Sequence, residues 1–261
     1  MIIDSHAHVI LPVEQQLALM ESAGVERTIL FSTRVHPEQA ADLEAFEQEM
    51  STLFAIISGQ WNNGLESARG AIQEQIQVLQ AHPTRFLGFG WVPVGLSYND
   101  TANWLQTYVI APGMRGIGEF TLASGQIGLL DPIFALSSEA GNLPLWVHTF
   151  DPLTLDDIRA LATLSKRYAS VPVILGHLGG LNWMETIKLA KEHPQTYLDL
   201  SAAYTTLAPT LAIRELPERS LFSSDAPNGN PLVARTMVEQ ITPDPAVRAL
   251  VLGETIARLV S

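Results

Sequence analysis

The 261-residue chain has no cysteine. It can form no disulfide and offers no thiolate to a metal, which suits a reducing compartment and sets the expectation of a cytoplasmic protein. Positive charge is scarce: 15 Lys and Arg stand against 27 Asp and Glu, for a formal net charge of −12 at pH 7. A broad basic surface for phosphate backbones is therefore missing, and no nucleic-acid partner is expected. A metal-assisted nuclease stays open, because such a site carries its own positive charge. No apolar run reaches the roughly 20 residues that a bilayer-spanning helix needs. The N-terminus shows no basic-then-apolar leader, so no membrane partner and no secretion are expected. Low-complexity tracts, short repeats and an evident linker are also missing.

What is there is a large apolar fraction, 47%, enough for a substantial core. The length matches the usual size of an eightfold β/α barrel, about 250 residues. Strand patterns recur near residues 2–8, 27–33, 86–93, 115–121, 143–149, 171–177, 196–202 and 220–225. Helical patterns lie between them: Val13–Ala23 stopped by Gly24, Glu38–Ser58 stopped by Gly59, Leu65–Ala81, Thr101–Val109, Asp131–Ala140, Thr154–Tyr168, Trp183–Glu192, Tyr204–Leu216 broken at Pro209, Val233–Gln240 and Ala246–Val260. Strands alternating with helices imply a parallel sheet covered by helices. Eight of them favour a closed (β/α)8 barrel, one domain over residues 1–261 with a helical insertion near 38–82. No G-x-G-x-x-G follows the first strand, which argues against a dinucleotide-binding sheet.

Histidines and carboxylates gather at the C-terminal ends of these strands, where a barrel of this kind builds its site. His6 and His8 end the first strand. Alternate strand residues share a face, so the two imidazoles lie about 7 Å apart along it and can converge on one cation, with Asp4 one layer behind. Glu119 ends the fourth strand, His148 the fifth, His177 the sixth and Asp225 the eighth. Each alone reads equally well as a buried, hydrogen-bonded polar residue. Together they are costly to bury without an ion, and imidazole plus carboxylate suits zinc first, then manganese or iron. The other histidines each precede a proline. His82 and His193 read as helix terminators on the opposite face, and His36 as a loop residue on the active face.

The motifs Asp4-Ser5-His6-Ala7-His8, Gly118-Glu119, Val147-His148, Gly176-His177-Leu178-Gly179-Gly180, Ser223-Ser224-Asp225-Ala226-Pro227 and Gly253-Glu254-Thr255-Ile256-Ala257-Arg258-Leu259 span nearly the whole chain. In this order they resemble the amidohydrolase superfamily, most closely its amidohydrolase-2 group, with some kinship to TatD-type hydrolases. The resemblance implies that His6, His8, His148 and Asp225 bind a divalent metal, and that His177 binds a second ion or polarises the substrate. Some relatives bridge two metals with a carboxylated lysine where this chain has Glu119, which can bridge or support from outside. Thr255 stands where the motif usually has Asn.

The expected activity is metal-dependent hydrolysis of a small ester, lactone, amide or phosphoester by a water whose pKa falls toward about 7. Asp225 would accept the water's proton and His177 would hydrogen-bond the oxyanion. Arg34, Trp91, Asn182, Trp183, Tyr204 and Asn228 lie just beyond strand ends and are the candidate substrate contacts, Arg34 for a carboxylate. The rival is non-oxidative decarboxylation of an aromatic or unsaturated acid, which the same ligands serve; Glu119 as a natural bridge tips the expectation toward hydrolysis. A metal-binding scaffold without activity is the remaining alternative, and no ligand is missing to favour it. One or two ions, and a monomer or a homo-oligomer, all fit.

Overall fold

A computed structural model describes residues 1–58 and 64–261. Eight parallel strands pair in chain order. They are β1 (Ile3–His8), β2 (Arg27–Phe31), β3 (Phe86–Gly90), β4 (Gly116–Phe120), β5 (Leu145–His148), β6 (Val173–Gly176), β7 (Thr196–Asp199) and β8 (Ser220–Leu221). The end strands meet through backbone bonds: Ser5 N–H to the Phe222 carbonyl (3.0 Å), Asp225 N–H to the His6 carbonyl (2.8 Å) and His8 N–H to the Ala226 carbonyl (2.7 Å). The result is a nearly closed (β/α)8 barrel. Its helices are α1 (Val13–Ser22), α2 (Leu43–Ile57), α3 (Gly64–Ala81), α4 (Tyr98–Leu105), α5 (Asp131–Glu139), α6 (Leu155–Arg167), α7 (Trp183–Glu192), α8 (Leu207–Glu215), α9 (Pro231–Ile241), α10 (Pro245–Ala249) and α11 (Thr255–Leu259).

Strands such as LWVH and VILG are buried at every residue, because helices cover one face and the barrel interior the other. Ile3, Ile29, Phe31, Phe89, Trp146, Ile174 and Leu221 fill that interior, joined by Ile256 and Val260 from the C-terminal segment. Trp146 fits because Gly176, diagonal to it on the next strand, has no side chain; a Cβ there would lie 2.0 Å from the indole ring. Large and small residues thus alternate across the barrel.

Several boundaries differ from the expected ones, each for a local reason. The Glu38–Ser58 helix begins only at Leu43, where Asp42 caps it by accepting from the Ala45 amide at 2.9 Å; Gly59, its expected stop, lies outside the described residues. Pro209 does not break α8 but sits in its first turn, where a missing N–H costs nothing. The short helix expected at Thr101–Val109 starts at Tyr98 and runs into a π-helical turn over Gln106–Ile110. The continuous helix expected over Ala246–Val260 is interrupted at Gly253, whose added Cβ would lie 2.4 Å from the Met1 carbonyl oxygen. The sixth and eighth strands stop before His177 and Asp225. At both residues the backbone turns left-handed, with φ of 58° and 57°, a costly conformation for residues with a Cβ.

Candidate metal and substrate site

The first strand positions the first candidate ligands. A register shift between Asp4 and Ala7 interrupts its pairing with β2. His6 is fully buried, with its ring 4.7 Å from Phe31 and 4.2 Å from Trp146, centroid to centroid. His8 stands beside it at 5.1 Å. Asp4, one layer behind the pair, accepts from the His6 backbone amide at 3.3 Å. Its carboxylate turns toward the last strand's extension and accepts from the Ser224 amide (2.9 Å) and hydroxyl (2.5 Å). Burial pushes this carboxyl up to about 6 in spite of those bonds.

Glu119, from β4, lies among four imidazoles. Its Oε2 is 3.4 Å from His8 Nε2 and 3.7 Å from His6 Nε2. Its Oε1 is 3.0 Å from His148 Nδ1 and 3.7 Å from His177 Nε2. Burial would raise its pKa, but the contacts with His148, His177 and His6 outweigh it and hold the group well below the ordinary carboxylate range. His148 places Nε2 3.0 Å from the Asp151 carbonyl. That acceptor keeps a proton on Nε2 and leaves Nδ1 to face Glu119. Burial works against a charge on His148, yet Glu119 raises its pKa overall.

Asp225 Oδ1 lies 3.4 Å from His8 Nε2 and 3.9 Å from His6 Nε2. Despite burial, the nearby His8, His6 and His177 hold its pKa at about 2. His6 itself is pushed up to about 9, the burial penalty being outweighed by Glu119, Asp225 and Asp199. The six expected metal and catalytic residues therefore meet in one place. Asp199 joins them and was not expected: it is fully buried, with Oδ2 3.7 Å from His6 Nδ1. The sequence signal was an Asp near the end of the seventh strand, but the strand pattern there ran on past it.

The donor chemistry fits a cation. Both ring nitrogens of His6 and Nδ1 of His8 are buried with no hydrogen-bond partner among the described residues. Ligand atoms lie within 4.8 Å of one another in three groups: His6–His8–Glu119, Glu119–His148–His177 and His6–His177–Asp199. Imidazole and carboxylate without thiolate suit zinc, manganese or iron.

The cavity above has two lobes, which share His8, Thr33, Val35, Leu53, Glu119 and Thr121. Leu53, Ile56 and Ile57 of α2 form an apolar wall that sequence patterns gave no reason to place here. Arg34 and Trp91 line one lobe, the guanidinium 5.3 Å from the indole centroid. Burial pulls the Arg34 pKa down, and among the described residues no carboxylate pairs with it. Asn228 lines the other lobe and donates to Asp225 Oδ1 at 3.4 Å. The remaining expected contacts fall outside. Asn182 and Trp183 sit at the start of α7, and Tyr204 is 61% exposed; none lines the cavity. His36 is a loop residue paired with Glu38 (3.0 Å) and Glu74 (3.4 Å).

No curated protein matches the chain significantly by sequence. Solved structures do match its fold. The 2,6-dihydroxybenzoate decarboxylase from Rhizobium superposes with a TM-score of 0.71 at 18% identity, covering 99% of this chain and 98% of that one. A dihydroxybenzoic acid decarboxylase from Polaromonas, with bound manganese and the inhibitor 2-nitroresorcinol, gives 0.71 at 18% identity, covering 99% and 96%. The 4-oxalomesaconate hydratase from Rhodopseudomonas palustris gives 0.68 at 17% identity, covering 100% and 95%. A family model described as Amidohydrolase (Amidohydro_2) matches residues 3–261. With that match over nearly its whole length, the chain belongs to the Amidohydro_2 family and is an enzyme of the amidohydrolase superfamily.

Proposed function

We propose that the enzyme is a metal-dependent, non-oxidative decarboxylase of a small aromatic or unsaturated carboxylic acid. One observation carries this reading: the cavity faces its histidine–carboxylate cluster with an apolar wall and a single arginine laid on an indole. A flat apolar body fits against Leu53, Ile57 and Trp91. An anionic or hydroxyl substituent fits Arg34, whose guanidinium lacks a carboxylate partner among the described residues. The decarboxylases among the structural neighbours act on molecules of this shape. They support this chemistry over the hydrolysis that Glu119 first suggested.

His6, His8, His148 and Asp225 would hold the ion, with Glu119 and His177 able to hold a second. Bound there, a divalent cation supplies positive charge that orients the reacting acid and offsets negative charge building on it. Manganese, present in the Polaromonas neighbour, is as good a candidate as zinc. The protein's own groups do the rest. The apolar wall excludes water from the ring. Arg34 fixes the far end. Asp225 or His177 would take up from solvent, and pass on, the proton that replaces the carboxyl group. The carbon–carboxyl bond breaks, its electron pair stays on the ring or vinyl carbon and takes that proton, and carbon dioxide leaves.

A second reading, hydrolysis of a small lactone or ester, rests on Glu119. Each of its oxygens faces a different pair of imidazoles, the disposition that a carboxylate between two ions needs. Enzyme stripped by chelation and reloaded with zinc, manganese or iron separates the two. We expect metal-dependent carbon dioxide release from a hydroxybenzoate or an unsaturated acid. Hydrolysis of a lactone or ester, with two ions per chain and no carbon dioxide from any acid, would overturn the proposal in favour of the second reading.

A further inference from the structure

We propose that Asp199 and Ser201 are positioning residues that fix His177 as the Nδ1–H tautomer, so that this histidine meets the cavity through an unprotonated Nε2. The argument counts protons. Asp199 Oδ1 accepts the backbone amides of His177 (3.1 Å) and Ser201 (3.0 Å). Two amide donors on one oxygen mean that this oxygen carries no proton of its own. The Ser201 hydroxyl makes a short hydrogen bond to the same oxygen, so its single proton is spent there. Its lone pairs remain, and one faces His177 Nδ1 at 2.8 Å. A lone pair can only accept, so Nδ1 must donate. In the neutral ring, Nε2 is then bare.

Burial makes the arrangement rigid. Asp199 is 0% exposed, Ser201 3% and His177 5%, so water does not compete for these bonds. The opposite oxygen of Asp199 is also engaged: Oδ2 accepts from Trp146 Nε1 at 3.4 Å and lies 3.7 Å from His6 Nδ1. One carboxylate thus holds the His177 backbone and the Ser201 hydroxyl, and lies beneath the His6 ring. The bare Nε2 faces Glu119 Oε1 at 3.7 Å. Two acceptors facing each other leave room for a cation or a proton between them. His148 is pinned the other way round, with Nε2 on the Asp151 carbonyl and Nδ1 toward Glu119. The two rings therefore present different nitrogens to the same oxygen.

The test is a nitrogen-15 spectrum of the metal-free protein labelled at the histidine rings, at a pH where His177 is neutral, with its signals assigned by loss in His177→Asn. We expect a protonated Nδ1 and an unprotonated Nε2. Ser201→Ala should shift the tautomer ratio toward Nε2–H by about fivefold or more, the equivalent of one net hydrogen bond. Ser201→Thr, which keeps the hydroxyl, should restore it. A wild-type proton on Nε2 overturns the proposal, and so does an unchanged ratio in Ser201→Ala. The wild-type spectrum decides even where a variant fails to fold. Because neither metal nor substrate enters the measurement, its failure leaves the decarboxylase reading standing.

Discussion

Glu119 divides its oxygens between two pairs of imidazoles, and Asp225 touches only one of those pairs. Their substitutions should therefore separate. Glu119→Gln keeps the volume and removes the charge that faces all four rings. We expect the metal content of reloaded protein to fall, by loss of one ion if two are held, or by 10–100-fold weaker affinity, on the order typical of a supporting group, if one is held. Metal titration followed by elemental analysis reads the difference. Asp225→Asn should abolish turnover while leaving the circular dichroism of a folded barrel, since the proposed proton carrier and metal ligand is lost and the volume kept. Wild-type rates in that variant would remove Asp225 from the chemistry. Arg34→Met should raise KM by roughly 10–100-fold, the scale of a charge-assisted hydrogen bond of about 1.5–3 kcal/mol, with metal content unchanged.

At the scale of elements, α2 forms one wall of the cavity although none of its residues is fully buried. It is held at its base by His36. That ring pairs with Glu38 and with Glu74 of α3, and the His36 amide donates to Glu49 of α2 at 2.9 Å. The contact with Glu74, against the cost of burial and helped by Glu38, pushes His36 up to about 9. A raised histidine pKa stabilises most below the unfolded value near 6.5, and that contribution is lost as pH rises through about 9. Protection of the amides over 43–57, measured relative to the base-catalysed intrinsic exchange rate, should therefore fall between pH 7 and pH 10. His36→Gln should remove that fall in protection.

The opposite sign holds at α6. Asp157 accepts from Ser124, the Gly125 amide and the Thr154 amide and hydroxyl. Those bonds overcome burial and hold it at about 2. Its contribution is present above about pH 4 and lost as pH falls toward 2. Asp157→Asn should cost about 2 kcal/mol near neutrality, from the shift of nearly two pKa units, as read by urea unfolding.

For the whole molecule, carboxylates crowded with imidazole nitrogens that lack hydrogen-bond partners among the described residues, under one mouth of the barrel, are a cost that a bound cation would offset. A cation at 100 times its dissociation constant adds about 2.7 kcal/mol to stability. For a chain of this size that is on the order of several degrees in melting temperature. Calorimetry before and after chelation should show the loss, and readdition of metal should reverse it. The same comparison in Ser201→Ala should show a smaller gain if His177 helps to hold the ion.

The alternation of short apolar strands with helices was legible in the sequence because it depends on spacing within each segment. So was the collection of His6, His8, Glu119, His148, His177 and Asp225, since in a parallel barrel every strand end reaches the same mouth. What folds over that mouth was not. The wall from α2, the exclusion of Asn182 and Tyr204, and the turn of Asp4 toward Ser224 depend on packing between segments far apart in the chain. The role of Asp199 escaped for the same reason. A carboxylate can position His177 through Ser201 only when the sixth and seventh strands set His177 and Ser201 side by side, and no local pattern encodes that meeting.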